Sequence, residues 1–283
     1  MKNIIKLLGL LTLIGFSFFY TDKVIEVIRE EDEIMIKIKS EKENYFTKPI
    51  DATIVDNTII PGLNGREVNV ESSYKKMKEQ GIYNQNFLVY NELDPKIRLE
   101  NNQDKYIVLG NPKKQMVSLL FIIDNDRDLD KIDNILMQKE TIANFFIDYS
   151  YLIKNSTKIK EKSNHEIYSY GNKGKYLPDT LLFSNNLISR ISNNNAIYCL
   201  SKNESNEILE LCNKNNLYTI KPNILATKNP YTTVKANLTS GSIILLNNSS
   251  KTLKELPLII DYIKGKGYQI QGLSNLLSEK LER

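Results

Sequence analysis

Histidine, cysteine and tryptophan are scarce in this chain of 283 residues, which has one His, two Cys and no Trp. One histidine cannot supply a histidine-rich zinc site, and two cysteines cannot supply a metal-binding cysteine cluster, which excludes most familiar metallohydrolases. A strong excess of one charge is also missing, because 38 Lys and Arg oppose 34 Asp and Glu and the basic residues are scattered. We therefore expect no nucleic-acid partner.

What the chain does have is length and apolar content. Its hydrophobic share of 41% is enough to bury a large core and argues against disorder or a coiled coil. The length allows one large domain or two ordinary ones.

The chain opens with an apolar run, in which Lys2 and Lys6 precede an uncharged stretch from Leu7 to Tyr20. A basic start before such a run is typical of an export signal, and the positive-inside bias places the rest of the chain outside the cytoplasm. No pair of small residues typical of a cleavage site precedes Thr21, which favours an uncleaved single-pass membrane anchor over residues 1–22. A cleaved signal peptide, giving a secreted protein, and a buried helix are the alternatives.

The two cysteines, Cys199 and Cys212, fall on a predicted strand and a predicted helix. In an oxidising compartment they could form a disulfide. The sequence does not determine whether the two side chains face each other, so free thiols remain the alternative.

Strand and turn signals dominate residues 23–114, for which we predict a small α+β module of unknown role. Over residues 34–39, isoleucines alternate with a methionine and two lysines, which predicts a half-exposed strand. Asp56-Asn57 lies between two short β-rich runs and predicts a hairpin turn. The stretch from Val70 to Gln80 predicts a short helix with a nearby serine as its cap.

Short apolar strands alternate with helical stretches over residues 115–283, which is typical of βα units around a parallel sheet or barrel. Strands are predicted at residues 116–123, 143–147, 165–168, 196–200, 218–220 and 242–246. Helices are predicted at residues 129–139, 206–213 and 253–264.

Several strings in this part occur in an ordered series: Val-Ser-Leu-Leu-Phe at 117–121, Ala-Asn-Phe-Phe at 143–146, His-Glu-Ile at 165–167 and Gly-Ser-Ile-Ile-Leu-Leu at 241–246. Their order and spacing over residues 116–277 resemble the NodB-type polysaccharide deacetylase domain of carbohydrate esterase family 4. The resemblance implies an α/β fold, a distorted (β/α) barrel of the NodB type. The α+β module and the N-terminal membrane segment would precede it.

In that family a divalent metal, held by one Asp and two His, activates a water that attacks the N-acetyl group of an amino sugar. A second Asp acts as the base and another His as the acid. The resemblance places these five roles on residues that can perform none of them: Ile122, Ile123, Tyr170, Gly174 and Asn247. The only histidine, His165, matches a position outside the metal set. The resemblance therefore implies a pseudoenzyme without a metal cofactor.

The same predicted strand ends carry acidic residues that suit other chemistries. Asp124, Asp126 and Asp128 resemble the start of a calcium loop, yet Leu129 stands where the loop needs Gly and Ile135 where it needs Glu. A weak calcium site is therefore the alternative to a solvated acidic loop.

Asp124 and Asp148 follow two predicted strands and could form a carboxylate pair for glycoside hydrolysis. A Ser-His-Asp triad would have to use His165, and the chain lacks the Gly-x-Ser-x-Gly elbow that usually accompanies one. Neither sequence pattern establishes the geometry these reactions need.

Tyrosines at or just beyond the predicted strand ends suit stacking against sugar rings: Tyr149, Tyr168, Tyr170 and Tyr198. With Asp124 and Asp148 they form our candidate glycan-binding cleft, and core packing is the alternative role.

The sequence thus predicts an extracytoplasmic, inactive deacetylase-like protein at the cell wall, whose partner is a wall glycan or a wall protein. Two alternatives stay open. One is an active metal-dependent N-deacetylase with unorthodox ligands, and the other is a protein-interaction module without sugar affinity.

Overall fold

The computed structural model of the protein describes residues 12–13, 15–17, 21, 23–24 and 27–281. The anchor or signal peptide predicted over residues 1–22 therefore lies largely outside the described residues. Within the described part, no helix is both long enough and apolar enough to cross a membrane.

The regular elements after residue 32 have the following bounds. The α-helices are α1 (Glu33–Glu41), α2 (Val70–Gln80), α3 (Leu129–Gln138), α4 (Tyr149–Lys160), α5 (Pro178–Ile191), α6 (Asn206–Lys214), α7 (Pro230–Asn237), α8 (Ser250–Gly265) and α9 (Leu273–Leu277). The strands are β1 (Thr53–Val55), β2 (Thr58–Ile60), β3 (Gly65–Val68), β4 (Tyr90–Leu93), β5 (Tyr106–Ile107), β6 (Met116–Ile123), β7 (Asn144–Ile147), β8 (Glu166–Ser169), β9 (Tyr198–Leu200), β10 (Tyr218–Ile220), β11 (Ile224–Leu225), β12 (Ile243–Asn247) and β13 (Gln269–Ile270).

Two compact units divide the chain. The first comprises the described residues up to Pro49 together with Asn64–Asp94, and the second comprises Ile50–Leu63 and the described residues from Pro95 onward. This division differs from the sequence-based boundary at residue 114, because β1, β2 and β5 hydrogen-bond into a sheet of the second unit.

In the first unit, the strand predicted at residues 34–38 is wrong, because this stretch forms helix α1 with Asp32 as its N-cap. Met35 and Ile38 are fully buried, whereas Ile36 is 52% exposed. The buried pair is three residues apart, which places both side chains on one helical face. An accidental alternation of isoleucines therefore imitated the two-residue period of a strand.

Helix α2 has the predicted bounds, but its cap is Asn69, whose side chain accepts a hydrogen bond from the backbone N–H of Ser72. The helix ends at Gly81, whose φ of +71° is the left-handed conformation that glycine adopts without strain. Strands β3 and β4 pair antiparallel beside it.

The larger sheet of the second unit has the order β11-β12-β6-β7-β8, with β13 paired to the start of β6. All of its pairings are parallel. Every residue of β6 is buried, as expected for a parallel strand covered on both faces. Because the strands are parallel, the loops that follow β6, β7, β8 and β12 lie at one edge of the sheet.

A second sheet has the order β1-β2-β5-β10-β9. The predicted hairpin at Asp56-Asn57 is confirmed, since β1 and β2 pair antiparallel there. The closed barrel is not confirmed, because the strands described here form two separate sheets and no register pairs join β8 to β9. The α/β fold itself is as predicted.

Each face of the larger sheet packs in its own core. Phe121 and Ile123 belong to a cluster that also contains side chains of α3, α4 and α8, while Leu120 and Ile122 belong to a second cluster with residues of the other sheet. This alternation follows from the two-residue period of a strand. It separates the two isoleucines that the family resemblance assigns to one site.

Cys199 on β9 and Cys212 on α6 form a disulfide, and their Cα atoms are 6.5 Å apart. Both residues are fully buried. The bond ties α6 to the five-stranded sheet.

Candidate active-site cavity of the deacetylase-like unit

A cavity of about 730 Å³ lies at the carboxyl ends of the parallel strands. Its lining comes mainly from the loops after β6, β7, β8, β9 and β12 and from the first turns of α4. The lining residues are Ile122, Asp124, Asn125, Asp148, Ser150, Tyr151, Lys154, Tyr170, Lys173, Lys202, Asn247, Asn248 and Ser249. In open α/β sheets this edge is the usual place for a ligand.

The structure brings together five of the residues singled out from the sequence: Ile122, Asp124, Asp148, Tyr170 and Asn247. Ile123 points away from the cavity into the helix-covered core, where it is fully buried. Gly174 lines a smaller neighbouring cavity together with Tyr170. The ring of Tyr149 packs against Phe183 with its centroid 6.2 Å away.

Asp148 is held in place by the backbone. One carboxylate oxygen accepts hydrogen bonds from the N–H groups of Ser150 and Tyr151, at 2.9 and 3.4 Å, and so caps α4. The other oxygen accepts the N–H of Lys173 at 2.6 Å. Asp148 is only 4% exposed, so these bonds offset the cost of burying its charge. They give it a structural role at the cavity wall, separate from any part in a carboxylate pair with the exposed Asp124.

The loop after β8 has a backbone unlike a helix. Gly171, Lys173 and Gly174 all have positive φ, and a bridge between Asn172 and Lys175 closes the turn. A Cβ added at Gly174 would lie 2.8 Å from Oη of Tyr170. In a helix, side chains four residues apart lie on one face. This backbone therefore does not present positions 170 and 174 as a helical ligand pair.

The residues at the cavity do not fit the divalent metal of the family. Ile122 offers no lone pair, the oxygens of Asp148 already accept backbone hydrogen bonds, and no imidazole lines the cavity. Across the described residues, no three His, Cys, Asp or Glu side chains gather as a metal-holding group. We derive no catalytic step through a metal.

The predicted calcium loop gains no support. Asp126 accepts a hydrogen bond from the hydroxyl of Tyr151 and pairs with Lys158 at 3.0 Å, and these contacts, led by the tyrosine bond, lower the pKa of Asp126. Asp128 pairs instead with Lys131 at 3.1 Å and accepts a bond from Ser250. The carboxylates of Asp126 and Asp128 are thus each bound by different side chains of the protein.

Two of the predicted cleft tyrosines, Tyr168 on β8 and Tyr198 on β9, do not line the large cavity. Tyr168 and Tyr198 are buried and border a separate cavity of about 410 Å³, formed by segments that precede β7, β8 and β9. The hydroxyl of Tyr168 donates to Glu166 at 2.7 Å. Burial raises the pKa of both tyrosines. Of the four tyrosines, only Tyr170 lines the large cavity.

His165 has a structural environment. Its Nδ1 accepts the backbone N–H of Ala143 at 3.2 Å, and its Nε2 lies 3.0 Å from a carboxylate oxygen of Asp133. The other oxygen of Asp133 accepts from Nζ of Lys162 at 2.7 Å. Burial lowers the pKa of His165, so the folded protein holds this imidazole neutral.

Acidification should therefore destabilise the protein through its single histidine. In the unfolded chain the imidazole titrates near pH 6.5, whereas in the folded protein its pKa is lower, so the unfolded state binds more protons between these values. We expect the stability that depends on neutral His165 to be complete above about pH 6.5 and to be lost as the pH falls below it. Thermal melts of the full-length protein and of H165Q, across about pH 7.5 to 5, test this. An equal decline in both would contradict it.

Three lysines that were not predicted from the sequence also line the cavity: Lys154 on α4, Lys173 after β8 and Lys202 after β9. Nζ of Lys202 lies 5.4 Å from the centre of the Tyr170 ring, which is a cation–π geometry. Lys173 and Lys202 could have been noticed from the sequence, because both follow predicted strands, and residues of several loops meet at the strand ends.

Comparison with known proteins places this geometry in context. No family model matches the chain. YlxY of Bacillus subtilis, described as uncharacterized, is 26% identical over 283 residues, covering 90% of this chain and 86% of YlxY. The solved structure of BA3943, described as a CE4 family pseudoenzyme from Bacillus anthracis, has a TM-score of 0.66 at 24% identity and covers 89% of this chain and 97% of its own. PdaA of Bacillus subtilis, a family 4 carbohydrate esterase, has a TM-score of 0.53 at 17% identity and covers 63% of this chain and 87% of its own.

The fold is therefore the α/β fold of the CE4 polysaccharide deacetylases, and the resemblance found in the sequence strings is confirmed. Within this class, one of the structures similar to this chain is the pseudoenzyme BA3943. A mutant of BA3943 is described as having restored enzymatic activity.

Proposed function

We propose that the protein is an extracytoplasmic, catalytically inactive deacetylase-like protein that binds a cell-wall glycan in the cavity at the strand ends. One observation carries the proposal: the cavity of the fold persists, while Ile122, Tyr170 and Asn247 line it where the family resemblance requires Asp and His. The walls can still make hydrogen bonds, but they have lost the donors of a metal site.

The chemistry of the lining suits a sugar. Sugars present hydroxyl and acetamido groups together with apolar ring faces, and amide and hydroxyl side chains can bond the polar groups. Asn248 supplies such a group here, because its buried side-chain oxygen accepts no hydrogen bond from the described residues, and Tyr170 adds an aromatic ring at the wall. Binding without turnover requires only these contacts.

Three observations support a location outside the cytoplasm. The basic and apolar start of the chain is typical of an export signal, either as an anchor or as a cleaved peptide. The Cys199–Cys212 disulfide fits an oxidising compartment. One structure similar to this chain is described as a peptidoglycan N-acetylglucosamine deacetylase, with a TM-score of 0.55.

Sedimentation of the full-length protein with purified peptidoglycan tests the binding. We expect Y170A to lose binding by about 5- to 30-fold, since an aromatic contact with its hydrogen bond contributes on the order of 1–2 kcal/mol. The matched control is Y262A, because Tyr262 is a half-buried tyrosine on α8 that does not line the cavity. Equal binding by Y170A and the wild type would argue against the cavity as the glycan site.

The same preparations test inactivity. With zinc, cobalt or nickel added, the wild type should release no more acetate from acetylated chito-oligomers or peptidoglycan than D124A does. Release above that level, accompanied by a stoichiometric metal, would establish a deacetylase with unorthodox ligands and overturn the proposal.

A further inference from the structure

The three lysines of the cavity come from separate parts of the fold and converge on one space. Lys154 projects from the second turn of α4, Lys173 from the turn after β8 and Lys202 from the loop after β9. Among the described residues, none of the three forms an ion pair with a carboxylate. Lysines close by behave differently: Lys158 pairs with Asp126 and Asp130, and Lys162 with Asp130 and Asp133.

The carboxylates of the cavity do not neutralise these ammonium groups. Asp148 is buried and its oxygens accept three backbone N–H groups, from residues 150, 151 and 173. Asp124 is exposed and accepts a bond from the side-chain amide of Asn125 at 2.5 Å. The cavity is therefore lined by three exposed lysines and by one exposed carboxylate that lacks a backbone donor.

Positive charges that share one cavity repel one another. An anion placed among them would relieve this repulsion. Each ammonium carries three donors on a flexible stem, which suits a carboxylate or a phosphate without demanding one planar geometry.

We propose that the cavity selects a negatively charged glycan, whose carboxylate or phosphate group is bound by Lys154, Lys173 and Lys202. This inference rests on the proposed glycan binding and adds the charge class of the ligand.

Two variants of the full-length protein, purified in mild detergent, test this selection. The first is K154Q/K173Q/K202Q. The control is K228Q/K235Q/K254Q, which removes three exposed lysines outside the cavity and lowers the net charge equally from +4. Titration calorimetry uses three probes: a neutral N-acetylglucosamine tetramer, a muramic-acid oligomer with free lactyl carboxylates and a glycerol-phosphate oligomer.

We expect the wild type and the control to bind an acidic probe at least about tenfold more tightly than the neutral tetramer, the gain that a few exposed charge contacts supply. The cavity variant should lose this preference, and added salt should weaken the wild-type preference. The phosphate and carboxylate probes distinguish the two sources of charge. Equal affinity of the wild type for neutral and acidic probes, or an equal loss in both variants, would overturn the inference and leave glycan binding intact. Absence of binding to every glycan would instead refute the proposed function.

Discussion

Replacing Ile123 with Asp should unfold much of the second unit, whereas replacing Ile122 with Asp should be tolerated. Ile123 is fully buried and packs in the aliphatic core beside α3, α4 and α8. A carboxylate there would have neither water nor a partner, and we expect a loss on the order of 4 kcal/mol or more. Ile122 is 7% exposed and borders the cavity, so I122D should cost about 1–3 kcal/mol.

Urea titration followed by circular dichroism measures these losses, and I123V is the matched control. It should cost only about 1 kcal/mol, because it removes one methylene group without adding charge. Zinc should not restore I123D, since its carboxylate would point away from the cavity. A stably folded I122D/I123D protein that binds one zinc ion would show that this strand can still present two carboxylates to one site.

Loss of the disulfide should have the second-largest effect. Cys199 and Cys212 are 13 residues apart in sequence. Closing a loop of about 15 residues stabilises a fold by roughly 3 kcal/mol, mainly by restricting the unfolded chain. C199A/C212A should therefore lower the free energy of unfolding by about that amount.

Chemical reduction of the wild type provides the control for this double variant. The chain has only these two cysteines, so a reductant breaks no other disulfide. Unfolding under reducing conditions should shift the urea midpoint in the same direction, without the cavity that two alanines leave. An unchanged midpoint in both experiments would show that the bond adds nothing to stability.

The sequence was most informative about the central parallel sheet. The apolar runs at β6, β7 and β12 are long enough, and bounded clearly enough, to be recognised as buried strands. The same reasoning failed at α1, where isoleucines on alternate positions imitated a strand although the helix buries Met35 and Ile38. A short sequence pattern cannot distinguish a strand from a helix when the outcome depends on which side chains are covered by an element distant in sequence.

A residue that immediately follows or ends a parallel strand can be placed from the sequence, and the three such residues Asp124, Asp148 and Asn247 all line the cavity. The positions of the tyrosines were harder to predict, because a side chain within a strand, such as Tyr168, points to one face of the sheet and not to its end. The lysines were overlooked, since three positions spread over 49 residues form a cluster only after the chain has folded.

The five-stranded sheet has a consequence for how the protein reaches its final form. Strand β5 pairs with β10 although Tyr106 and Thr219 are more than a hundred residues apart. Because synthesis proceeds from the N-terminus, β1, β2 and β5 are made well before β9 and β10. Their unpaired edge is a template for unwanted strand addition. We therefore expect the five-stranded sheet to be completed late, with the edge of β5 unpaired until β10 has been made.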